Sequence, residues 1–130
     1  MTKQFLYPGR LSPLAIVVQA DVPNNAAPED HENLSLDGLQ EGAETIAELL
    51  HSAGYAVHLL SSGYYSELAA LLSDADICER LVVFHYCGHA ERESVDMYLD
   101  NGERLQVSAK GLAMQMATTS KALRLVYMNA

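Results

Sequence analysis

The stretch "RLVVFHYCGHA", Arg80 to Ala90, runs four apolar residues into two histidines, a cysteine and a glycine. A short apolar run of this kind reads as a strand buried on both faces. Its end is crowded with titratable side chains. In parallel sheets, chemistry gathers at the carboxyl ends of strands.

Working outward, the same logic organises the chain. "PLAIVV", Pro13 to Val18, is a second buried-strand pattern and ends in polar "QAD". "VPNNAAPEDHENLSL" reads as a long surface loop, the kind that in compact domains is functional or disordered. "DGLQEGAETIAELLHSAG" places Leu39, Ala43, Ile46, Leu50 and Ala53 at helical spacing. Asp37 with Gln40 resembles a capping box, and Gly54 suits a left-handed stop. "YAVHLL", Tyr55 to Leu60, reads as a strand and "SSGYY" as a turn. "SELAALLSDADICE" reads as one helix with Leu68, Leu71, Leu72 and Ala75 facing inward.

After Ala90 comes a polar segment with a short "MYL" strand and an Asn101-Gly102 hairpin turn. Ser108 is placed to cap a helix running to Ala117, with Leu112 and Met116 inward. "ALRLVYM", Ala122 to Met128, is a last strand. The order β-α-β-α-β-(hairpin)-α-β calls for a mainly parallel sheet with helices on both faces. Residues 1–12 read as an N-terminal extension and 13–130 as one domain.

Composition narrows the function. Eight basic against seventeen acidic residues give a net charge of -9. That excludes the clustered basic footprint of a nucleic-acid binder and disfavours anionic membrane surfaces. The N-terminus lacks the apolar centre of a secretory signal, and no apolar run approaches the ~20 residues of a membrane span. Two cysteines, Cys78 and Cys87, make no disulfide framework, so the expectation is a cytoplasmic protein with free thiols.

His31, His51 and His58 read as ordinary loop, helix-end and strand residues. His89 stands apart. Gly88 lets the strand turn sharply before it, and small Ala90 leaves a backbone N–H beside the ring. A base that titrates near neutrality next to an amide donor is what acyl transfer uses. Zinc is the second chemistry these side chains could serve, through His85, Cys87, His89 and Cys78. Alternate residues on a strand lie about 6.6 Å apart at ~3.3 Å rise, which suits a metal poorly. A local Cys87–His89 pair is a third possibility, opposed by the bend expected at Gly88.

"LVVFHYCGHA" resembles the histidine motif of caspase-like cysteine proteases, above all their metacaspase and CHAT branches. "LAIVVQAD…LDGLQEGAETIAELLHSAGYAVHLLSS" is similar to the opening of that family, and "VDMYLDNGERLQVSAKGLAMQM" to the strand, turn and helix that follow its histidine. "ALRLVYMNA" resembles the strand that delivers the nucleophile. The resemblance covers nearly the whole chain. It implies a three-layer α-β-α caspase-hemoglobinase-like fold, incomplete here, with about four core strands and a small hairpin.

The resemblance also implies roles. His89 is the general base and acid of a Cys-His dyad, Gly88 shapes the turn and the Ala90 N–H helps form the oxyanion hole. No metal or other cofactor is required. The family's cysteine directly follows the position of Ala130, so the chain as given lacks its nucleophile and is expected to be inactive alone. The expected partners are a polypeptide substrate and, across the open sheet edge, the remainder of the domain or another copy. Caspases bind an acidic P1 residue through arginines, and metacaspases a basic one through acids. Asp21, Glu29, Asp30 and Glu32 tilt the reading toward a basic P1, with Asp21 as the candidate substrate-binding carboxylate, while Arg92 and Arg104 lie near the other end of the sheet. The alternatives are a non-catalytic interaction module on the same fold, and a flavodoxin-like binding domain. Against the latter, "QADVPNN" contains no glycine for a phosphate loop.

Overall fold

The computed structural model describes residues 12–117 and 124–129. All but Ser12 of the expected extension, as well as Ala130 and the segment 118–123, lie outside the described residues. Four parallel strands form the main sheet: β1 (Leu14–Gln19), β2 (Ala56–Leu60), β3 (Leu81–Gly88) and β7 (Arg124–Asn129), in the order β2-β1-β3-β7. A second, antiparallel sheet holds β4 (Ala90–Glu91), β5 (Ser94–Tyr98) and β6 (Arg104–Ser108).

β1 lies between β2 and β3, and all six of its residues are buried. This is why it is apolar without alternation: both faces meet side chains rather than water. Leu14, Ile16 and Val18 point into the larger core with Phe84 and Tyr86 of β3. That core is closed by Leu68 and Leu72 of α3 (Tyr65–Leu72), Val95 and Met97 of β5, and Leu112 and Met116 of α5 (Ala109–Ala117). On the opposite face, Val17 and Cys87 meet Ala43 of α2 (Leu39–Ser52). Helices thus cover both faces of the parallel sheet, an α/β arrangement. The β1–β3 register shifts between Leu14 and Ala15, so Val82 is passed over and both Leu81 and Phe84 reach the larger core.

Local signals explain the elements and the departures from expectation. α2 ends as the sequence suggests. Gly54 takes φ +100°, its N–H donates to His51 O, and the Tyr55 N–H donates to Leu50 O. These are the two bonds of a Schellman cap. Its start differs: Gly38 is the N-cap and no side chain caps it, so the Asp37–Gln40 box does not form. Ala53 is exposed, because the stripe stops at Leu50. The long loop contains a seven-residue helix, α1 (Pro28–Leu34), with Pro28, Glu29 and Asp30 in its first turn. A proline at the first helical position and early acids favour that start.

The single helix expected over 66–79 is two. Asp74 accepts from the Asp76 and Ile77 N–H groups at 2.9 and 3.2 Å and begins α4 (Ala75–Arg80). An N-cap aspartate diverts the chain because its side chain replaces the missing backbone acceptors. Ala75 is consequently exposed. Ser108 does cap α5, with Oγ accepting from the Gly111 N–H at 3.0 Å.

Candidate active site

β3 carries its last residues to the carboxyl edge of the sheet between β1 and β7. Gly88 pairs with Asn129, so β3 and β7 end level with each other. His89 follows at once, and Ala90 begins the second sheet. His89 therefore sits in the joint between the two sheets.

The joint is held by Tyr86. Its hydroxyl donates to Asp96 O at 2.6 Å and lies 3.0 Å from His89 O. Burial is the main cause that pushes this phenol far above its ordinary value, with the nearby Asp96 charge second, so it stays a donor. Gly88 makes room for it. A Cβ at Gly88 would come within 2.5 Å of the Tyr86 hydroxyl. Gly88 is the last residue of β3 before the chain passes to the second sheet, and its φ is not positive.

His89 Nδ1 lies 2.7 Å from Asp96 Oδ2. A carboxylate only accepts, so Nδ1 is the donor of this bond and, in the neutral ring, the lone pair is on Nε2. The His89 side chain is 25% exposed, and Asp96 is 2% exposed. Arg104 Nη1 stands 3.7 Å from the same Oδ2. Asp96 Oδ1 is buried without a hydrogen-bond partner. Beneath this cluster, the Tyr98 phenol is pushed up to about 12 by burial first and then by the Asp30 and Asp96 charges.

The other expected residues separate. Ala90 is 3% exposed rather than open to solvent. The Asp96 N–H donates to His89 O, so alternation along the antiparallel ladder turns the Ala90 N–H away from β5. Asp21 is exposed, and its carboxylate accepts from Gln19 Nε2 at 2.6 Å. Cys87 belongs to the cluster on the α2 face, and burial pushes its thiol up. Cys78 is buried too, with Sγ donating to Leu72 O at 3.0 Å. His85 is buried, its Nε2 has no partner, and burial holds its imidazole below the ordinary value. Among the described residues, no group of three or more His, Cys, Asp and Glu side chains could hold a metal ion.

Two features escaped the sequence reading. Asp96 is the first. Its signal was an acid set among Val95, Met97 and Tyr98, because a buried charge needs a partner. The second is a cavity of about 410 Å³ beside Gly88 and Cys87. Leu36, Leu39 and Ile46 give it an apolar lining, and exposed Asp37 and Glu41 stand in its wall. Asp21 does not line it. Among the described residues no helix is long and apolar enough to cross a membrane. No family model matches the chain, and no curated protein matches it.

Proposed function

We propose that the chain is the histidine-bearing part of a caspase-like cysteine endopeptidase domain with the three-layer fold of that family. The observation that carries the reading is the His89–Asp96 bond of 2.7 Å at the carboxyl end of β3, level with the end of β7. It leaves Nε2 as the basic nitrogen, at the edge where the family's nucleophile-bearing strand ends.

The chemistry follows from that nitrogen. Nε2 takes the proton of a thiol delivered beyond the end of β7, and the thiolate attacks the scissile carbonyl carbon. The carbonyl electron pair moves to oxygen, and the Ala90 N–H, facing away from β5, is the candidate donor to that oxyanion. Protonated His89 then gives its proton to the departing amine, leaving a thioester. Water loses a proton to Nε2 as it attacks the thioester, and the thiol is restored by the same proton. Cys87 is not the nucleophile, since its side chain is buried against α2.

The cavity beside Gly88 extends the reading to substrate. An apolar lining with Asp37 and Glu41 suits a lysine or arginine side chain, whose methylenes pack while its charge meets the carboxylates. The test is an assay of the full-length natural polypeptide against peptides with Arg, Lys or Asp at P1. Cleavage after the basic residues, abolished by His89→Ala, is the expected result. No cleavage of any peptide, with a folded protein, would leave the interaction-module reading in its place.

A further inference from the structure

His89 is held by more than its own strand. Asp96 comes from β5, a strand of the second sheet, and reaches Nδ1 at 2.7 Å. Three things mark this carboxylate as more than a packing residue. It is 2% exposed, so its charge is shielded from water. Oδ1 has no hydrogen-bond partner, an arrangement that a group kept for stability alone does not favour. Arg104, on β6 opposite Tyr98, stands 3.7 Å from Oδ2 and is 39% exposed.

The backbone is also pinned around it. The Asp96 N–H donates to His89 O at 3.0 Å, and the Tyr86 hydroxyl donates to Asp96 O. The ring and the carboxylate therefore cannot drift apart without breaking the β4–β5 pairing. Fixing both the backbone and the side chain of an acid relative to one histidine determines which ring nitrogen carries the proton.

We propose that Asp96 is the positioning residue for His89, locking its Nδ1–H tautomer, and that Arg104 steadies the same carboxylate oxygen from β6. The β5–β6 hairpin is then part of the site. This inference rests on the endopeptidase reading for its catalytic consequence, but its structural half does not.

The test uses two readouts. Ring nitrogen-15 NMR of the 130-residue chain reads the His89 tautomer directly. The parent chain shows protonated Nδ1 with a slowly exchanging proton; Asp96→Ala loses that signature, and the same-sized Asp96→Asn weakens it or reverses the tautomer. In the full-length natural polypeptide, Asp96→Asn lowers kcat on the order of 10²- to 10⁴-fold, as removal of an orienting carboxylate does elsewhere, with KM changed less than threefold. If folded Asp96→Asn and Asp96→Ala both keep the parent tautomer, the proposal is overturned, whatever the activity. A tautomer shift in a polypeptide that cleaves nothing supports the positioning role and removes the endopeptidase reading instead.

Discussion

The Tyr86 hydroxyl donates to the Asp96 carbonyl at 2.6 Å, and through that bond the parallel sheet grips the small antiparallel one. Tyr86 is fully buried. Removing the hydroxyl in Tyr86→Phe leaves the Asp96 carbonyl short of a donor. The expected cost is ~1–3 kcal/mol, read as a lower denaturation midpoint with an unchanged slope. A variant as stable as the parent would show that water replaces the hydroxyl.

Gly88 supports the same contact from below. Gly88→Ala places a methyl where the Tyr86 hydroxyl lies and also within 3.0 Å of Ala20 Cβ. Overpacking of this kind costs ~1–3 kcal/mol. It should also disturb the His89 ring signals in NMR, whereas Gly111→Ala, on the exposed side of α5 with 3.4 Å to its nearest neighbour, should not.

Stability should fall in acid through His85. Burial lowers its native value below the ordinary 6.5, while the unfolded chain keeps that value. Above about pH 6.5 both states are neutral at this residue and no penalty exists. As pH falls below it, the unfolded chain takes up a proton that the folded chain refuses, so unfolding is favoured until the lowered native value is passed. Chemical denaturation between pH 7.5 and 5 reads this slope. His85→Leu should flatten it, and an unchanged slope would assign the effect to another group.

Both thiols should be silent to alkylation in the folded protein. Cys78 is 8% and Cys87 6% exposed, and burial raises the Cys87 thiol, reducing the reactive thiolate. Modification should proceed at the rate of unfolding and accelerate in denaturant. Rapid labelling of Cys87 in native buffer would show that its thiol is reached from the cavity beside Gly88 without unfolding.

The α4 cap offers a local check. Asp74→Ala removes the acceptor of two N–H groups at the start of a six-residue helix. A loss of ~0.5–2 kcal/mol is expected, measured by thermal unfolding. Asp76→Ala, whose carboxylate is exposed and meets Arg80 at 3.5 Å, should cost far less.

How legible all this was depended on distance along the chain. β1, β3 and the α2 stripe rest on patterns within a few residues, and each was readable. So was the Ser108 cap, three residues from the N–H it serves. His89 was found because it directly follows a buried strand. Asp96 was not, since its role depends on how β4 and β5 pair, and no local pattern sets that register. The split between α3 and α4 was signalled by Asp74 but outweighed by the apolar spacing on either side. Pro28 and its acids announced α1 and were read as loop because the segment's other residues are polar. The cavity beside Gly88 needs α2 and β3 together, so no stretch of sequence contains it.

The place of β1 at the centre of the main sheet bears on how the chain is made. During synthesis β1 emerges first, yet β2 arrives only after α1 and α2, and β3 only after α3 and α4. Residues Ala15 to Val18, wholly buried in the finished protein, lack their neighbouring strands until β2 and β3 have been made. Non-local parallel pairing is slow, and exposed apolar segments aggregate while they wait. Newly made chains should therefore lean on chaperones until Arg80–Ala90 leaves the exit tunnel, so the stretch that bears His89 also ends the chain's most vulnerable interval.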